Sequence, residues 1–218
     1  MAESGFRQDC CEAAWRGNPV LLRLLGLCPL LAVSDRVVTG IAIGVLFALT
    51  MLWIQTLVGA VRSLIPVSVR LPFQAVVAAC GVTVLQLVVQ AHLPALAAAL
   101  GVYLPVLAGC CLIVARTTES AWRRPAALAL RDGVVHGLAA LAFVLTFSAV
   151  RELLGYGTLL RELTLLVPGT TWSGYGVLPE GWRLPIAAMP AGAMLLLGAF
   201  LALRNHAAAG RGRPVLQA

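Results

Sequence analysis

Of the 218 residues, 60% are hydrophobic and 11% are charged, and the mean hydropathy is +0.92. A soluble domain carries roughly 25% charged residues, so the chain is excluded from that class. The net charge of +7 does not indicate nucleic acid, because all sixteen basic residues are arginines set between apolar runs, not a compact basic domain with interleaved aromatics. The long unbroken runs also exclude a transmembrane β-barrel, whose strands alternate over about 10 residues.

Residues 1–18, MAESGFRQDCCEAAWRGN, hold acids and no apolar core of the kind a signal peptide needs, and are read as a cytoplasmic tail. The first apolar run, 19–34, is short: 11 uncharged residues, Leu24 to Ser34, separate Arg23 from Asp35. A helix crosses a bilayer with about 20. This run carries Cys28, followed by Pro29.

Between Arg36 and Arg62 there is no charge, which predicts a span at about 38–60. Residues 71–115 are uncharged for 45 positions, enough for two crossings, with the natural break at AHLPA (91–95). Further spans are predicted at 133–150, between Asp132 and Arg151, and at 184–203, between Arg183 and Arg204. The Gly-, Pro- and Trp-rich stretch 155–183 reads as an outer loop, and 205–218 as a second cytoplasmic tail. The expected fold is an all-α integral membrane protein of six segments, forming one membrane domain over 19–204.

With a cytoplasmic N-terminus, the inner side holds twelve arginines and the outer side only Arg36, Arg151, Arg161 and Arg183. That bias places both termini in the cytoplasm. The chain also repeats itself. LGLCPLLAV (25–33) aligns with AGCCLIVAR (108–116), setting Cys28 over Cys111, and Arg70-Leu71-Pro72 aligns with Arg183-Leu184-Pro185. Each half, about 19–91 and 95–204, has three segments, an odd number, so the second half is inverted relative to the first. The first and fourth segments are short half-helices. Inverted repeats with broken helices build sites near the midplane.

On that symmetry, Cys28 and Cys111 approach each other at membrane depth. Two thiolates supply half the ligands of a 2Fe–2S cluster; equally, free cysteine packs as a small hydrophobe in apolar helices. No CxxC or zinc-like Cys/His spacing occurs among the six cysteines, and disulfides are not expected of them. Arg151-Glu152 reads as an interfacial ion pair or as part of an ion path. Asp132 reads as a helix-start cap or an ion-coupling acid, with His136 on the same face. Tyr156, Trp172 and Trp182 read as interfacial anchors. Polar residues inside the spans are few: Gln55, Gln74, Gln86 and Gln90. No nucleophile–base pair or phosphate loop is present. The classes left open are an electron-carrying component of a redox-driven pump, a secondary transporter and a purely structural membrane component.

NPVLLRLLGLCPLLAV (18–33), CLIVAR (111–116), DGVVHG (132–137), RELLGYGTL (151–159) and MPAGAMLLLG (189–198) together resemble the E-type subunits of the Rnf (Rsx) ion-translocating oxidoreductases. That family is related to the D-type subunits of the sodium-translocating NADH:quinone reductases. The resemblance implies a multi-pass protein of the bacterial inner membrane. It implies pairing with the paralogous Rnf A-type subunit, in a complex that also holds B-, C-, D- and G-type subunits. It implies a 2Fe–2S cluster at the pair's interface, with Cys28 and Cys111 as this chain's ligands. The complex would pass electrons between NADH and ferredoxin or a similar low-potential carrier, coupled to movement of sodium ions or protons. NADH and the flavins would sit on other subunits. The chain departs from the family where Cys110 replaces the usual Asn, which brings Cys110 forward as the alternative ligand, and where RTTESAWRRP (116–125) replaces an acidic, Ala-rich stretch.

Overall fold

The computed structural model describes residues 34–159, 175–176 and 189–209. Cys28 and the rest of the short first run, the N-terminal tail, Trp172, Trp182 and the Arg183-Leu184-Pro185 half of the repeat lie outside the described residues. The described chain is almost wholly helical: α1 (Val37–Val61), α2 (Arg70–His92), α3 (Pro94–Leu100), α4 (Tyr103–Val106), α5 (Cys111–Arg116), α6 (Ala126–Tyr156) and α7 (Pro190–Ala209). A two-residue antiparallel ladder, β1 (Thr158–Leu159) with β2 (Tyr175–Gly176), sets Thr158 opposite Gly176.

Four stretches are long and apolar enough to cross a bilayer: Val37–Val61, Val67–His92, Tyr103–Ala121 and Ala126–Tyr156. The chain is a multi-pass membrane protein. The span expected at 38–60 is α1, and the expected break at 91–95 is Leu93, where α2 stops and Pro94 opens α3. Proline is tolerated there because the first turn of a helix has no use for its missing N–H.

One boundary differs from the sequence reading. Where a span was expected at 133–150, α6 has 31 residues, roughly 46 Å at 1.5 Å per residue. It begins at Ala126 because Asp132, read as a charged boundary, is neutralised by Arg116 and does not stop the helix. Asp132 is therefore no helix-start cap. The helix ends at Gly157, whose φ of 66° supplies the left-handed stop and whose N–H donates to Leu153 O. The last described helix is Pro190–Ala209, and the start expected at 184 lies outside the described residues.

The core of the fold is the antiparallel pair α1 and α6. Glycines line the contact from both sides: Gly40 faces Ser148, Gly44 faces Leu141, Gly137 faces Ala48, Gly133 faces Gln55 and Gly59 faces Ala126. A Cβ at Gly137 would lie 3.2 Å from both Cα and Cβ of Ala48. Each helix carries a small-xxx-small motif, GIAIG (40–44) and GVVHG (133–137). In lipid, where apolar burial gives helices no reason to associate, such close backbone approach is what holds them. α2 packs on α1 and on the short helices that follow it, burying one narrow stripe, Gln74, Ala78, Gly81 and Val82, and Trp53 of α1 wedges against Gly81.

Candidate functional site

The fourth predicted segment is broken, and the break falls on the cysteine pair. After α4 a 3-10 turn, Leu107–Gly109, ends in Cys110, which is extended (φ −63°, ψ 119°). Its carbonyl accepts from the N–H groups of Ile113 (3.0 Å) and Val114 (3.2 Å), so Cys110 caps α5 and Cys111 is its first residue. An extended residue followed by a helical one sends the two side chains different ways. The Cys110 side chain is buried in the apolar core with Leu104, Leu107 and Leu112, while Cys111 is exposed on the surface of the chain. Gly109 beside them has open space where a Cβ would stand. The described cysteines, Cys80, Cys110 and Cys111, form no disulfide with one another.

Both ends of α5 are fixed. Leu112 and Ile113 are buried in its first turn. At its far end Arg116 donates to Asp132 Oδ1 (2.9 Å) and to Glu119 Oε2 (3.2 Å). It also meets His136 Nε2 at 2.6 Å, while His136 Nδ1 lies 2.9 Å from the Asp132 carbonyl. The neutral imidazole with its proton on Nδ1 satisfies both contacts, donating to the carbonyl and accepting from the guanidinium. The expectation that Asp132 and His136 share a face is met, and Arg116, sixteen residues upstream of Asp132, binds them both. Beyond α5 the chain widens into a π turn, Thr117–Ala121, a form that recurs at functional sites. There Thr117 and Thr118 donate back to the carbonyls of Ile113 and Val114.

Close to this cluster stands Gln55, fully buried, with neither amide atom partnered among the described residues. Its Cβ and Cγ pack on Gly133, next to Asp132. Ser120 Oγ, Arg116 Nε and Asp132 Oδ2 are likewise buried without partners among the described residues. The other glutamines read from the sequence are placed differently: Gln74 is held by Thr118 and Trp122, and Gln90 is exposed.

At the opposite end, Arg151 and Glu152 are fully buried and are not a surface pair. Arg151 donates to Ser34 Oγ (3.0 Å) and to the Met189 carbonyl (3.3 Å). Glu152 accepts from the N–H of Val37 (2.6 Å), the first residue of α1. A carboxylate there meets both an orphan donor and the positive end of the helix dipole.

Residues 6–201 match the family described as Rnf-Nqr subunit, membrane protein. The chain belongs to the Rnf-Nqr family. It is similar to the protein of Pseudoalteromonas atlantica named as the E subunit of the ion-translocating oxidoreductase complex, 34% identical over 201 residues that cover 92% of this chain and 87% of the relative. Proteins of the same name from Pseudomonas paraeruginosa and Thioalkalivibrio sulfidiphilus are each 33% identical over 94% of this chain, covering 87% and 90% of their own length. The Rnf-Nqr match takes in α1 through α6, the cysteine break and most of α7.

Sequence reasoning overlooked the two small-xxx-small motifs, which are visible as spacing in GIAIG and GVVHG. It had no signal for the isolation of Gln55, which depends on what α6 presents to it.

Proposed function

We propose that this Rnf-Nqr chain is the E-type membrane subunit of an ion-translocating oxidoreductase complex and holds half of a 2Fe–2S cluster through Cys28 and Cys111. The observation that carries the reading is the divergence of the adjacent thiols. A ligand shared between two chains has to stand on a surface, which suits Cys111 and not the buried Cys110. A 2Fe–2S centre needs four protein ligands, so this chain's two leave two for the paralogous A-type subunit. When bound, the cluster takes up and releases one electron inside the low-dielectric membrane.

The chain's own contribution is to hold the thiol still. Leu112 and Ile113 bury one side of α5, and the Arg116–Asp132 ion pair ties its end to α6. Locked supporting contacts of this kind preorganise a ligand. In such a complex electrons would move between NADH and ferredoxin or a similar low-potential carrier, with NADH and flavins on the other subunits, coupled to movement of sodium ions or protons. The arginines support an inner-membrane orientation with cytoplasmic termini. Arg36 and Arg151 sit at one end of the α1–α6 pair, and Arg62, Arg123, Arg124 and Arg131 at the other. The antiparallel run of α1 and α6 also supports the inverted repeat, whose equivalent helices have opposite directions.

The test is electron paramagnetic resonance on the reduced pair of this chain and its A-type paralogue, purified together. Cys111→Ser is expected to abolish the cluster signal, and Cys110→Ser to leave it. A full signal from Cys111→Ser would overturn the assignment.

A further inference from the structure

At the arginine-rich end, where α2 begins and the π turn passes into the loop before α6, the surface opens into a cavity of about 300 Å³. Arg70 and Arg123 line it, with Gln74, Thr118, Trp122 and Leu71. We propose that this cavity binds the phosphate headgroup of an anionic phospholipid from the surrounding bilayer.

Four observations converge on that occupant. Among the described residues neither Arg70 nor Arg123 has an acidic partner, and Arg70 Nε is buried without any hydrogen bond. The Arg70 guanidinium is held 5.0 Å over the Trp122 ring, which keeps its remaining N–H groups available to an anion. The ring is itself fixed by its Nε1–H donating to Gln74 Oε1 at 3.0 Å, and Gln74 Nε2 donates to Thr118 Oγ1 at 3.3 Å. The walls of the cavity are thus preset around two positive charges that no described acid compensates. Finally, Leu71 on the wall of the cavity is an exposed apolar side chain, against which the start of an acyl chain can lie. Basic pockets at the ends of membrane helices suit anionic headgroups, and guanidinium groups bind phosphate through paired donors.

This site is independent of the cysteine assignment. The test uses the full chain in phosphatidylcholine nanodiscs doped with spin-labelled phosphatidylglycerol, reading the motionally restricted lipid fraction against spin-labelled phosphatidylcholine. The wild type is expected to prefer phosphatidylglycerol, and Arg70→Gln/Arg123→Gln to lose roughly 5-fold of that preference per arginine. Arg62→Gln/Arg124→Gln removes the same charge from outside the cavity and is expected to keep most of it. Equal losses in the two double variants would overturn the site in favour of general surface charge. Absence of any preference in the wild type would overturn it without reference to a variant. Displacement of the restricted lipid by low concentrations of inorganic phosphate would assign the cavity to a free anion instead of a lipid.

Discussion

At the Val37 end of the α1–α6 pair, Arg151 and Glu152 are buried completely and are matched by Ser34, the Met189 carbonyl and the Val37 N–H among others. At the Val61 end, Arg116, Asp132 and His136 are only partly buried, and Gln55, Ser120 and one oxygen of Asp132 close around them without partners among the described residues. The same two helices therefore bury polarity in two ways. The first arrangement uses its two charged groups to join three separate parts of the chain. The second ties α5 to α6 beneath Cys111 and keeps hydrogen-bonding capacity unspent. An unmatched buried polar group costs stability, so the Val61 end is where the fold gives up stability and the Val37 end is where it recovers it.

Arg151→Met is the substitution that presses this contrast hardest. It removes the ties to Ser34 and Met189 and leaves the Ser34 hydroxyl buried without that partner. Hydrogen bonds made by a charged group are each worth about 1.5–3 kcal/mol, and two are lost together. The purified chain in detergent should show a much lower unfolding midpoint, and an unchanged midpoint would mean that the Val37 end is not the clamp.

Asp132→Asn strikes the other end with a smaller effect. It keeps the volume and the contact but removes the charge opposite Arg116. The side chains of Arg116 and Asp132 remain 18% and 11% exposed, so water offsets part of the loss and the expected cost is about 1–2 kcal/mol. The same unfolding measurement ranks the two variants. A larger loss for Asp132→Asn than for Arg151→Met would reverse the comparison.

Much of this was legible from the order of charges along the chain. Arg36 and Arg62 bracket α1, and Leu93-Pro94 breaks the long apolar run, because both signals are local: a desolvated guanidinium ends a span and a proline restarts a helix. The extent of α6 was not legible. Arg131-Asp132 reads as a boundary until Arg116, on another element, neutralises the acid. The opposed directions of Cys110 and Cys111 were hidden for a similar reason. They follow from an extended backbone at Cys110, set where a 3-10 turn meets α5. Arg151-Glu152 reads as an interfacial pair from its position at a helix end, yet its burial comes from Ser34 and Met189, distant in sequence.

Gln55 gives the finest probe of the contrast, because its expected effect has the opposite sign. Its Cβ and Cγ pack at 3.3 and 3.1 Å from where a Cβ would stand on Gly133, while its amide has no partner among the described residues. Gln55→Met keeps the unbranched stem that fits against Gly133 and replaces the amide with a thioether. Removing an unmatched buried amide while conserving shape is expected to stabilise the chain by about 1 kcal/mol. The unfolding midpoint of the isolated chain should therefore rise slightly. If Gln55→Met lowers the stability of the assembled complex while raising that of the chain alone, the amide meets its partner only on assembly. The unspent polarity at the Val61 end would then belong to the assembled state, whereas the charged pair at the Val37 end finds its partners within one chain.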